Sequence, residues 1–153
     1  MLCRRTLSTV VLVPVLTGSA LVAAPSTSSA ATPPVKISYA KYDSPGSDTG
    51  SNISLNGEYV VIKNTTSTNR SLTGWTLRDK TGYTYRFPTF TLRAGATVTV
   101  HTGKGTAAST HRYYNKTWYV WNNTGDTAYL RDAQGVLRHS CAWASAGPGY
   151  KAC

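Results

Sequence analysis

From residue 35 onward, apolar and polar positions alternate in short runs separated by turn-forming residues. Val35, Ile37 and Tyr39 alternate with Lys36, Ser38 and Ala40, the period of a half-buried strand. A polar loop over residues 43–52 follows. Residues 58–63 are apolar on both parities and predict a strand covered on each face. Residues 72–77 predict the next strand; Leu72 and Leu77 fall on opposite parities, so a bulge is expected at Gly74. A turn at 79–82 leads to a strand over 83–87 that stops at Pro88, and Phe90 and Leu92 lead to another turn at 93–95. Thr97-Val-Thr-Val-His101 is the cleanest alternation, with Val98 and Val100 facing inward. Residues 118–121 and 127–131 predict strands flanking the turn 122–125, and a turn at 132–135 opens a last strand over 136–143. Nowhere does a helical period persist. Eight or nine short strands at this spacing predict an all-β sandwich or barrel, one domain over residues 35–153.

The segment before it reads differently. Arg4 and Arg5 precede an apolar run from Leu7 to Leu16, which small residues continue from Gly18 to Ala24. Ser28-Ser29-Ala30 places small residues where a signal peptidase cuts, and Ser29-Ala30-Ala31 would serve one residue later, so residues 1–30 predict a cleaved secretory signal peptide and residues 31–34 a linker. Pro14 and Gly18 break the run, and its continuous part is shorter than the ~20 residues a membrane span needs. The address expected is therefore extracellular. Export leaves Cys141 and Cys153 in a compartment that permits oxidation. If they pair internally they pair with each other, pinning the Gly- and Pro-rich tail to the last strand; two free thiols or an intermolecular bridge are the alternatives.

Composition narrows the chemistry. The chain carries 16 Lys and Arg against 6 Asp and Glu, a formal charge of +10, yet only 14% of its residues are charged. That is too few for a coiled coil, and 41% hydrophobic content argues against a disordered basic tail. The 23 threonines suit the exposed faces of strands. Five of the six acids, Asp43, Asp48, Asp79, Asp126 and Asp132, fall in or beside turns, where a carboxylate accepts backbone N–H bonds. Glu58 alone falls within a strand, as a bracing residue or, less economically, a catalytic acid.

A search for a reaction centre ends there. His101, His111 and His139 form no His-x-His group and no Cys-x-x-Cys exists to hold zinc. His101 alternates outward, and His139 shares parity with Cys141 and Trp143. No Gly-x-Ser-x-Gly elbow frames a nucleophile. Thr102-Gly-Lys-Gly-Thr106 lacks the Ser or Thr that a phosphate loop needs after its lysine. The Asp43/Asp48 loop does not match a calcium loop. These absences predict a non-enzyme that needs no metal or cofactor.

Several segments together are similar to a known family. Leu55-Asn-Gly-Glu-Tyr-Val-Val-Ile-Lys-Asn64, Leu72-Thr-Gly-Trp-Thr-Leu-Arg-Asp79, Phe87-Pro-Thr-Phe-Thr-Leu92, Val98-Thr-Val-His-Thr-Gly103, Trp121-Asn-Asn-Thr-Gly-Asp126 and Leu130-Arg-Asp-Ala-Gln-Gly135 resemble the lamin tail domain, in order, from about Val35 to Trp143. Within them Asn56, Gly57, Glu58, Gly74, Trp75, Asp79, Trp121, Asn122, Gly125 and Asp126 carry the pattern. The resemblance implies an immunoglobulin-like β-sandwich and kinship to secreted bacterial members. Without a coiled-coil segment in this sequence, the filament and nuclear-envelope biology of animal lamins is not implied.

The remaining signal is charge interleaved with aromatic rings. Residues 111–121 mix Arg112 and Lys116 with Tyr113, Tyr114, Trp118, Tyr119 and Trp121, while Arg78, Lys80, Arg86 and Arg93 lie near Tyr83 and Tyr85. Cations attract phosphates and rings stack on bases or sugars. Arg112, Tyr113, Tyr114, Lys116, Arg78, Lys80 and Arg86 are thus the candidate contacts of a secreted, non-enzymatic binding or adhesion module. Its expected partner is an acidic polymer: cell-wall polyanion, polysaccharide or nucleic acid. A nucleic-acid-binding domain, or an accessory module of an extracellular nuclease or hydrolase, is the alternative. The same rings also suit a sandwich core, and whether the cations share a face is a question for the fold.

Overall fold

A computed structural model describes residues 31–145 and 147–153; the expected signal peptide lies outside the described residues. The strands are β1 (Val35–Lys41), β2 (Tyr59–Asn64), β3 (Arg70–Ser71), β4 (Thr76–Arg78), β5 (Thr84–Arg86), β6 (Thr91–Leu92), β7 (Thr97–His101), β8 (His111–Tyr113), β9 (Gly125–Arg131), β10 (Leu137–Ala144) and β11 (Tyr150–Ala152). A five-stranded sheet, β11-β1-β2-β7-β8, and a four-stranded sheet, β10-β9-β4-β5, enclose the core, and β3 and β6 form a short ribbon. Pairing is antiparallel except between β7 and β8. This is an all-β, immunoglobulin-like sandwich.

The strand period builds the core directly. Val60 and Ile62 of β2, Val98 and Val100 of β7, Leu77 of β4, and Ala128 and Leu130 of β9 are all fully buried between the sheets. Aromatic rings fill the ends: Tyr42 stacks on Trp143 with centroids 4.7 Å apart, and Trp143 meets Trp121 edge-on at 5.8 Å. Cys141 and Cys153 form the internal disulfide. It ties β11 to β10, which belongs to the opposite sheet. A bridge closing so short a loop stabilises by about 3 kcal/mol on the chain-entropy view.

Several local expectations change. In β1 the alternation breaks: a register shift between Ile37 and Tyr39 turns Ala40 inward and leaves Tyr39 half-exposed. β2 is not covered on both faces, since Tyr59 and Val61 are only half-buried and Lys63 is exposed. Residues 72–77 are not one strand with a bulge. The chain leaves the β3 ribbon, turns through Gly74 at φ +78°, and enters a different sheet at Thr76. Leu72 and Leu77 are both fully buried because they serve different layers, which explains their opposite parity. A short helix, α1 (Asn52–Asn56), interrupts the expected polar loop, capped by Ser51, whose hydroxyl accepts from the Ser54 amide at 3.3 Å. One turn of helix leaves no periodic trace in sequence. Residues 118–121 form no strand, because a buried carboxylate takes two of their amides.

That carboxylate is Glu58. It is fully buried, just ahead of β2, and accepts from the Trp121 amide at 2.8 Å, the Val120 amide at 3.1 Å and the Thr102 hydroxyl. Its role is bracing. Burial pushes its pKa to about 7 despite these donors. Asp79, Asp126 and Asp132 are likewise buried and spend their oxygens on loop amides. Asp79 accepts from the Gly82 amide at 2.6 Å, and Asp126 from the Lys80 amide at 3.0 Å and the Asn122 amide at 3.1 Å. Asp132 accepts from the Gln134 and Val136 amides at 3.0 and 2.9 Å.

Candidate polyanion interface

The outer face of the four-stranded sheet gathers arginines. Leu77, Leu130 and Cys141 point inward, so their neighbours Thr76, Arg78, Arg86, Tyr129 and Arg131 point out. Register decides what meets what. Thr76 sits between Arg86 of β5 and Arg131 of β9, and Arg78 sits between Thr84 and Tyr129 one step along. Three guanidiniums therefore lie within two rungs of one face. Two are oriented by loop carbonyls: Arg86 Nη1 donates to Gly74 O at 2.8 Å and Arg131 Nη1 to Gly135 O at 3.0 Å. Each retains further N–H donors for a ligand.

The face continues at both ends. At one end Lys80 is exposed on the turn braced by Asp79 and Asp126, and Lys116 lies 5.0 Å from the centre of the exposed Tyr83 ring. At the other end a groove of about 440 Å³ is lined by Trp75, Arg70, Leu137 and Arg138, among others. Trp75 is half-buried against the core, so its ring serves as both packing and groove wall. Arg138 is held by Asp132 at 2.5 Å, the one ion pair among the described residues. Burial raises the Asp132 pKa, but the Val136 amide, Arg138 and the Gln134 amide outweigh it and hold the carboxyl below its ordinary value.

No acid is exposed on β4, β5 or β9, although Asp132 lines the groove beside Arg138. Glu58, Asp79, Asp126 and Asp132 are buried, and the remaining two, Asp43 and Asp48, share the Asn123 side-chain amide at 3.1 and 3.3 Å in loops. Apart from Arg138, no described lysine or arginine has an Asp or Glu carboxylate within 4.0 Å. Arg78, Arg86 and Arg131 therefore form no ion pair.

The candidate contacts divide three ways. Arg78, Lys80 and Arg86 lie on this face or its turn, with Lys116 beside them. Tyr113 lies on the outer face of the other sheet, against His101. Arg112 and Tyr114 are not surface residues, which corrects the expectation from their segment. Arg112 is 9% exposed, its guanidinium 4.1 Å from the centre of the Phe90 ring and bonded to the carbonyls of Ala108 and His111. The reason is strand parity: β8 turns His111 and Tyr113 out and Arg112 in. Tyr114 is 8% exposed and its hydroxyl donates to Leu77 O at 2.8 Å, joining the two sheets. Arg131 and Tyr129 were missed. Alternation with Ala128 and Leu130 signals that both face outward, but their alignment with Arg86 and Arg78 is set by register alone.

His101 also departs from expectation. It is half-buried, not a plain surface residue, and stacks on both His111 and Tyr113 at 5.2 Å. Among the described residues no cluster of three or more His, Cys, Asp or Glu is arranged to hold a metal, and no helix is long and apolar enough to cross a membrane.

The fold, the opposed sheets and the carboxylate-braced turns define an immunoglobulin-like module. Residues 28–145 match the Lamin Tail Domain family, and the chain belongs to it. No curated protein matches the chain.

Proposed function

We propose that this chain is a secreted, non-enzymatic binding module that holds an acidic polymer on the outer face of its four-stranded sheet. The observation that carries this reading is the separation of charge. Four of six acids are buried against backbone amides, while Arg78, Arg86 and Arg131 stand together on a face whose strands expose no carboxylate. A row of guanidiniums suits bidentate contact with phosphates or carboxylates, and neutralising several of them makes affinity depend steeply on salt. The export-like residues 1–30 and the Cys141–Cys153 disulfide support an extracellular setting. Glu58 has the raised pKa of a catalytic acid, but it is enclosed and bonded to the protein on both oxygens, out of a substrate's reach.

The test uses long-chain inorganic polyphosphate, a probe with charge and no rings, titrated at two salt concentrations. Binding is expected to weaken at least tenfold at the higher salt. The triple variant R78E/R86E/R131E is expected to abolish it at both. Equal affinity in the triple variant and the parent would overturn the reading. A duplex DNA probe run alongside separates phosphate recognition in general from nucleic acid in particular.

A further inference from the structure

The opposite face of the sandwich carries a feature that charge does not account for. Tyr150, Tyr39, Tyr59 and His101, then His111 and Tyr113, follow one another across β11, β1, β2, β7 and β8, so that every strand of the five-stranded sheet contributes a ring. Successive centroids are 5.8 Å (Tyr150 to Tyr39), 6.1 Å (Tyr39 to Tyr59), 5.6 Å (Tyr59 to His101) and 5.2 Å (His101 to His111 or Tyr113). Lys41, Tyr59, His101 and Tyr113 are direct cross-strand partners. At a strand spacing of ~4.8 Å the row is about 20 Å long. Tyr150 is 46% exposed and His111 is exposed, while Tyr39, Tyr59, His101 and Tyr113 are half-buried, so the row is open at both ends and partly open between them.

The two histidines do not form a metal clip. His101 Nε2 and His111 Nδ1 are 2.9 Å apart while the ring centroids are 5.2 Å apart, so the nitrogens lie on the line joining the rings. Two lone pairs converging on one ion would bring the rings closer than that; a straight N–H···N bond gives this spacing. His101 Nδ1 lies 3.0 Å from Asn56 O, which can only accept, so Nδ1 carries the proton and Nε2 accepts from His111. The pair is locked in place as part of the row.

Three further observations point to the occupant. The five strands contain no Asp or Glu, and they present Lys63 and Lys41, the latter 5.8 Å from the centre of the Tyr150 ring, while Lys36, the cross-strand partner of Lys63, donates to Cys153 O at 3.2 Å. Neighbouring rings already pack on one another, with planes within 29° for all steps but Tyr59 to His101, so no base can slide between them. The ring centroids repeat along the row every 5.2–6.1 Å, close to the length of a sugar residue. We propose that this row is a binding track for an extended, uronate-bearing polysaccharide, with ring contacts along the tyrosines and the lysines answering the sugar carboxylates.

This track lies on the sheet opposite the arginines and does not depend on them. The test therefore titrates polygalacturonate against the full chain carrying R78E/R86E/R131E, so that the arginine face contributes nothing. That variant is expected to keep binding. Adding Tyr59→Ala is expected to weaken it at least tenfold, and Lys63→Glu, at an exposed position that leaves the core untouched, about threefold. Absence of binding in the triple variant, or unchanged affinity after both further substitutions, would overturn the proposal. So would poly(dT) binding the same tyrosines more tightly than polygalacturonate. Polyphosphate binding by the parent is read separately, so either face can fail without the other.

Discussion

On β4, β5 and β9 of the four-stranded sheet the residues facing solvent are mainly threonines and arginines around one tyrosine; on the five-stranded sheet tyrosines, histidines and lysines stand among the threonines of β7. Both faces obey the same period of two, and both lack exposed carboxylates. Their difference lies in which outward residues register places side by side. Arg86, Thr76 and Arg131 make one rung, and Lys41, Tyr59, His101 and Tyr113 make another. The first rung concentrates charge and the second concentrates rings. Two surfaces with different physics thus share one core.

The largest expected effect removes what the faces share. Glu58→Ala leaves the amides of Val120 and Trp121 buried without an acceptor and should cost about 3–5 kcal/mol in chemical denaturation. Both probes should lose binding together. Retention of one alone would show that its face does not depend on the common scaffold.

Opening the disulfide separates the faces. Cys141→Ser should cost about 3 kcal/mol. It also releases β11, which carries Tyr150 at the end of the aromatic row, whereas the arginine rungs lie on β4, β5 and β9. Polygalacturonate binding should fall more than polyphosphate binding. Equal losses would count against the separation.

Glu58 also sets a pH dependence. Its folded pKa, about 7, lies above its ordinary value, so the folded state binds the extra proton. Its contribution is fully present below the unfolded pKa and is lost as pH rises through about 7. Melting temperature should therefore rise on acidification from pH 8 to pH 5, by the equivalent of about 2 kcal/mol. Glu58→Gln should flatten this slope. A parent profile that falls over the same range would remove the assignment.

The smallest effect on folding belongs to the arginines. R78E/R86E/R131E should shift stability by no more than ~1 kcal/mol, since Arg78 and Arg86 are exposed and Arg131 faces outward, half-buried. A larger loss would mean that the bonds from Arg86 to Gly74 O and from Arg131 to Gly135 O hold the loops as well as the ligand.

Much of the fold is legible in the sequence because strands declare themselves locally. Val98 and Val100 are inward as their alternation predicts, the turns at 79–82 and 122–125 are braced by acids, and Cys141 pairs with Cys153. Failures cluster where a distant partner decides. Residues 118–121 read as a strand until Glu58 takes their amides. Arg112 and Tyr114 read as ligand contacts until Phe90 and the Leu77 carbonyl claim them. Gly103 belongs to the Thr102-Gly-Lys-Gly-Thr106 segment, whose sequence signals no close packing, yet a Cβ there would come within 2.6 Å of Asn52 and Asn56 side-chain oxygens on a helix that sequence does not announce.

By itself the sequence determined the β class, the inward residues of most strands, the bracing role of Asp79, Asp126 and Asp132 (Asp43 and Asp48 instead accept from the Asn123 side chain) and the excess of cations, since each follows from neighbours within a few positions. Only the tertiary structure decided that three arginines share one face, that six rings cross the other, and that Arg112 belongs to neither. Those facts depend on register between strands far apart in the chain, and register is fixed by packing of the whole sandwich: a slip of one residue would turn each strand's outward set into the core.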